Sequence, residues 1–151
     1  MLSLWLVWSL RWCDAVNWLN LPEELEGTDD PDVFRLSRDF GFCDAAGRQW
    51  WAKAGTLTDG ASIPRFFWRL CGNPLQGPYR RAAIIHDAYY QTHAAPKNKV
   101  DRMFHEAMLF GGTAEWKAWA MWRAVSWFGG PGWKRKGRRW IDAVLTNVRR
   151  A

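Results

Sequence analysis

Residues 79–110 read YRRAAIIHDAYYQTHAAPKNKVDRMFHEAMLF, and how they divide decides the architecture. A helix is expected from Tyr79 to Thr92. Ala94, Ala95 and Pro96 interrupt it, since the residue before a proline is pushed out of helical geometry. A second helix is expected from Asn98, a residue type that caps helices, to Phe110, where Gly111 and Gly112 stop it. A break this short folds the second helix back antiparallel on the first.

Upstream, the spacing changes. Phe34, Leu36, Phe40 and Phe42 fall on alternate positions, the period of a strand. Residues 44–47 (DAAG) read as a turn and residues 48–57 as a returning strand, which gives a β-hairpin over residues 33–58. Residues 58–68 (TDGASIPRFFW) read as a turn: Gly60 supplies backbone freedom, Asp59 and Ser62 can bond nearby amides, and Pro64 can open a helical turn. Residues 23–32 read as an acidic loop after Pro22. Downstream, a third helix starts at Thr113 or Ala114 and ends before residues 129–132 (GGPG), and a basic helix closes the chain. The expected class is α+β: one domain over residues 1–151, with an N-terminal β-hairpin packed on a mainly helical C-terminal half.

Composition narrows the field. With 48% apolar residues in 151, the chain can bury one core and is not generally disordered. Cys13, Cys43 and Cys71 are an odd number without short metal-binding spacing. They read as reduced thiols packed as small hydrophobes, not as a disulfide framework or a zinc knuckle. Most of the 13 tryptophans are expected in the core, the rest at a surface suited to a lipid interface or a base stack. The net charge is +6, and residues 134–150 carry all of it, with seven cations against Asp142. Lys134, Arg135, Lys136, Arg138 and Arg139 therefore suggest an anionic partner, phospholipid or nucleic acid, with a solvated helix face as the alternative. Residues 1–10 (MLSLWLVWSL) are too short to cross a bilayer and lack a basic leader, so neither a transmembrane span nor a signal peptide is expected.

Within the helical hairpin, His86 and Tyr90 lie one turn apart on a shared face. Asp87 sits about 100° further round, at the edge of the same cavity. Aspartate is a poor helix-interior residue, which points to a task. The antiparallel return places Asp101 opposite the stretch from His86 to Tyr90. A carboxylate on one ring nitrogen fixes the histidine tautomer, leaving the other nitrogen to take a proton from water. A second carboxylate can hold a hard cation that polarises a carbonyl or phosphoryl oxygen. A structural His–Asp bond that ties two helices together is the competing reading.

Residues 58–65 (TDGASIPR), 83–90 (AIIHDAYY) and 101–108 (DRMFHEAM) closely resemble the phage and prophage domain-of-unknown-function family 1353, over about residues 33–129. The resemblance implies a phage or prophage origin, in host cytoplasm or virion, and no settled activity. The HDxxY helix followed by a single aspartate also resembles viral-type phospholipase A2. That resemblance implies His86 as general base, Asp101 as its orienting partner and Tyr90 as a bond donor to Asp101. It further implies Asp87 as a calcium ligand, with carbonyls near Gly72 completing the shell, although Gly72 stands in a loop with one glycine where those enzymes are glycine-rich.

Other chemistries use the same residue types. The HD phosphohydrolases need a metal-binding histidine upstream, and His86 is the first histidine here. A Ser–His–Asp site using Ser62 would lack the GxSxG elbow. Asp59 could join Asp87 or Asp101 at a metal, and so could His105, which otherwise reads as an exposed helical histidine. Two non-enzymatic readings stand beside the hydrolase: a virion or tail-assembly component contacting other virion proteins, and a nucleic-acid binder gripping phosphates with the basic tail between Trp133 and Trp140.

Overall fold

Among the described residues, six short strands precede the helices. β1 (Asn17–Leu19), β4 (Phe40–Cys43) and β5 (Gln49–Ala52) form one antiparallel sheet in the order β1-β4-β5; β2 (Leu25–Gly27), β3 (Phe34–Leu36) and β6 (Leu57–Thr58) form another in the order β2-β3-β6. The computed structural model describes Cys13, residues 15–59, Arg69, Gly72 and residues 76–136. The expected turn at residues 44–47 is present, and Asp44 makes it. Its carboxylate accepts the amides of Ala46 and Arg48, at 3.0 and 2.8 Å, and the Trp50 indole at 2.8 Å.

The hairpin is shorter than expected, and residues 33–58 divide between the two sheets. β4 returns as β5, with Phe42 opposite Trp50, whereas β3 pairs with β2 and β6. Asp39 pins the corner by accepting the Ala54 amide at 2.9 Å and the Lys53 ammonium at 2.8 Å. Period-two alternation continues across such a corner, because it records which face is buried and not which sheet a strand joins. The expected acidic loop contains β2, whose Leu25 lies opposite Leu36. Gly41 lets the Trp51 ring close on β4, since a Cβ there would stand 2.9 Å from that ring.

Among the described residues, the helices α1 (Arg80–Thr92), α2 (Lys97–Phe110) and α3 (Glu115–Phe128) follow, and residues 130–136, α4, are also helical. Asn98 is not the cap of α2. Pro96 takes that place, and the Asn98 side chain accepts the neighbouring Lys99 amide at 3.0 Å. α1 packs on α2 and on β5 and β6, and α2 packs on α3. Phe40, Phe42, Ile84, Ile85, Tyr90, Val100, Phe104 and Met108 are fully buried at these contacts. Each such side chain contributes about 1.5–3 kcal/mol by leaving water. The fold is α+β, and no helix among the described residues is long and apolar enough to cross a membrane.

One compositional expectation is corrected. Cys13 and Cys43 form a disulfide, with Cα atoms 6.1 Å apart. Pairing of β1 with β4 brings the chain before Asn17 alongside Cys43, a contact across 30 residues that cysteine spacing does not reveal. Cys71 and residues 1–10 lie outside the described residues. Among the described tryptophans, Trp18 and Trp50 are buried, Trp122 and Trp133 are half-buried against the core, Trp51 is half-buried, and Trp116, Trp119 and Trp127 are exposed.

Candidate functional site

The antiparallel return of α2 brings the anticipated groups together. His86 Nε2 lies 3.0 Å from Asp101 Oδ1, and Tyr90 donates its hydroxyl to the same oxygen at 2.9 Å. The imidazole packs against the rings of Tyr90 and Phe104, with centroids 4.2 and 4.5 Å away. His86 and Asp101 are 1% and 2% exposed, so the pair is enclosed. Lys97, one turn before Asp101 on α2, donates to Asp101 Oδ2 at 2.6 Å and to the Val125 carbonyl of α3 at 2.8 Å. Both carboxylate oxygens of Asp101 are thus engaged.

The protonation states follow from these contacts. Burial holds the His86 imidazole below its ordinary value, against the opposing pull of Asp101. The ring is therefore neutral near pH 7, with Nε2–H donating to Asp101. Burial alone would raise Asp101, but the hydrogen bonds from His86 and Lys97 prevail and keep it below the ordinary carboxylate range. Burial, reinforced by Asp101, raises the Tyr90 phenol and keeps it protonated as a donor.

Asp87 belongs to a second cluster. Thr58 donates to its Oδ2 at 2.7 Å, and the Lys136 ammonium reaches its Oδ1 at 2.8 Å. The same ammonium lies 2.9 Å from Asp59 Oδ1. Burial would depress Lys136, but the charges of Asp87 and Asp59 outweigh it and hold the ammonium above the ordinary lysine value. Lys136, expected among the anion-binding residues of the tail, is only 6% exposed and serves as an internal cation instead.

This cluster bears on calcium. The ion takes six to eight oxygen ligands. Asp87 bonds an ammonium shared with Asp59, and among the described residues no three His, Cys, Asp or Glu side chains form a group able to hold a metal. Thr58 and Lys136 thus each engage one oxygen of Asp87, and no chemical step is routed through a metal. Gly72 lies against the Tyr79 hydroxyl, where an added Cβ would stand 3.1 Å away. His105 packs on Trp122, with ring centroids 5.2 Å apart, and is half-buried, not exposed. Lys134 and Arg135 are exposed; Arg138, Arg139, Trp140 and Ser62 lie outside the described residues.

Three supporting residues stand outside the site that the sequence predicts. Lys97 carried a readable signal, four residues before Asp101 on one helix. Thr58 opens the segment that reads as a turn and carries no signal of its own. Gly129 permits the close approach of Tyr90, since a Cβ there would stand 2.6 Å from the Tyr90 hydroxyl. A separate surface cavity of about 390 Å³ lies at the N-terminal end of α1, lined by Glu23, Pro78, Arg80, Arg81 and Gly111 among others.

The uncharacterized protein y4jT of Sinorhizobium fredii is 41% identical over 105 residues, covering 70% of this chain and 31% of that protein. The uncharacterized protein y4iH of the same organism is 40% identical over 98 residues, covering 65% of this chain and 41% of that protein. The chain thus spans less than half the length of each relative. No solved structure matches it. The profile of the family described as Protein of unknown function (DUF1353) matches residues 34–125, which contain His86, Asp87, Tyr90 and Asp101, and the chain belongs to that family.

Proposed function

We propose that the protein is a hydrolase of phospholipase-like type, cleaving a carboxylic ester with His86 as general base and Asp101 as its orienting partner. The observation that carries this reading is the 3.0 Å contact between His86 Nε2 and Asp101 Oδ1, on a carboxylate that Tyr90 and Lys97 also hold. With Nε2–H donated to Asp101, Nδ1 is the nitrogen left to accept a proton. It takes that proton from water as the water oxygen attacks the ester carbonyl. The imidazolium then returns the proton to the departing alkoxide. Asp101 stays ionised throughout and stabilises the imidazolium. The exposed Lys134 and Arg135 suit an anionic surface such as a phospholipid headgroup layer.

Asp101→Asn tests the reading, because it keeps the side-chain shape but favours the wrong tautomer. Hydrolysis should fall by about 10²–10⁴-fold with the fold retained. An equal rate in wild type, Asp101→Asn and His86→Ala would remove the dyad from the chemistry.

Two observations favour a second reading, a non-enzymatic virion or tail-assembly component of a phage or prophage. His86 is only 1% exposed, which suits a structural tie between α1 and α2. The Cys13–Cys43 disulfide suits an oxidising setting such as a released particle. Co-purification with particles, together with no turnover of any ester, would select this reading.

A further inference from the structure

α3 carries its core on one side and tryptophan on the other. Ala118, Met121, Ala124 and Val125 are buried, while Trp116, Trp119 and Trp127 are 61%, 54% and 61% exposed. Positions 116, 119, 123 and 127 fall within about an 80° arc, and the stripe runs about 17 Å along the helix. The residue between the indoles is Arg123. Its guanidinium lies 4.1 Å over the Trp127 ring, 5.5 Å from Trp122 and 5.8 Å from Trp119. Its Nε is buried without a hydrogen-bond partner.

We infer that this stripe docks the protein on an anionic phospholipid surface, with the three indoles at headgroup depth and Arg123 bonded to a lipid phosphate. Indole is favoured at the boundary between headgroups and acyl chains, where its apolar body and polar N–H are both satisfied. A guanidinium matches phosphate oxygens through its terminal N–H groups, and Arg123 sets that charge among the indoles, while its buried Nε takes no part. The stripe is poorly suited to nucleic-acid bases, which stack on open ring faces, whereas the guanidinium already covers Trp127. The inference does not rest on the hydrolase reading, because docking requires no turnover.

Flotation of the full chain with vesicles of equal parts phosphatidylglycerol and phosphatidylcholine tests it, and hydrolysis is not read. Trp116→Ser/Trp119→Ser/Trp127→Ser should lower the partition coefficient by about tenfold or more, with far-ultraviolet circular dichroism unchanged. Arg123→Gln should cost less, and only on the anionic vesicles. If the triple variant misfolds, Trp127→Ser alone must show a loss of severalfold. Wild type that fails to float, or variants that float like wild type, would overturn the inference. So would a wild-type dimer or a complex with oligothymidylate that the same substitutions abolish while flotation persists.

Discussion

Lys136→Met removes one ammonium and keeps most of the aliphatic stem. In the wild type that ammonium lies 2.8 Å from Asp87, which is 1% exposed, and 2.9 Å from the more exposed Asp59. Breaking a buried ion pair by deleting one partner costs about 3–5 kcal/mol. A limit arises because Asp87 can escape by binding a proton. Protonating a carboxylate of ordinary pKa, about 3.9, costs about 4 kcal/mol at pH 7 and about 1.5 kcal/mol at pH 5. The variant should therefore lose about 3–4 kcal/mol at pH 7 and about 1.5 kcal/mol at pH 5. Lys136→Met/Asp87→Asn should recover most of the loss at pH 7. Urea unfolding at the two pH values measures this directly. A loss below about 1 kcal/mol at pH 7, or an equal loss at both pH values, would refute the buried-pair account.

Three further outcomes are expected. His86 binds its proton less readily when folded than when unfolded, so its contribution to stability is complete above about pH 6.5 and is lost as pH falls from there toward the lower folded value; thermal melts between those limits should show a shallower slope for His86→Gln. Gly129→Ala places a methyl group 2.6 Å from the Tyr90 hydroxyl and against the Val125 carbonyl, and should cost about 1–3 kcal/mol by urea unfolding. Cys13→Ser/Cys43→Ser opens a loop of 30 residues and should lower stability by about 3.5 kcal/mol; a reductant should bring the wild type to the same midpoint.

Local signals in the sequence located the helices and the dyad. Pro96 and the Gly111–Gly112 pair bound α2 to within a residue of its expected limits, and the short break between helices set Asp101 against His86. The sheets were less legible. The residues that turn the chain between them, Ser37 to Asp39, carry no glycine or proline, and the corner is held by Asp39 reaching forward to Ala54. Lys136 was hidden for a different reason. It sits in a run of five cations within residues 134–139, and only the path of α4 selects which of them turns inward to Asp87. The Cys13–Cys43 bond likewise depends on the register of β1 against β4.

Fatty-acid release from mixed phospholipid micelles, in wild type and His86→Ala, with calcium and with a chelator, tests the central claim most directly. The proposed dyad predicts release that His86→Ala abolishes while circular dichroism stays unchanged. It also predicts that release survives the chelator, because the Lys136 ammonium already engages Asp87 Oδ1. Wild-type release no greater than that of His86→Ala, across several lipid classes, would contradict the claim and leave the His86–Asp101 pair as a structural tie between α1 and α2.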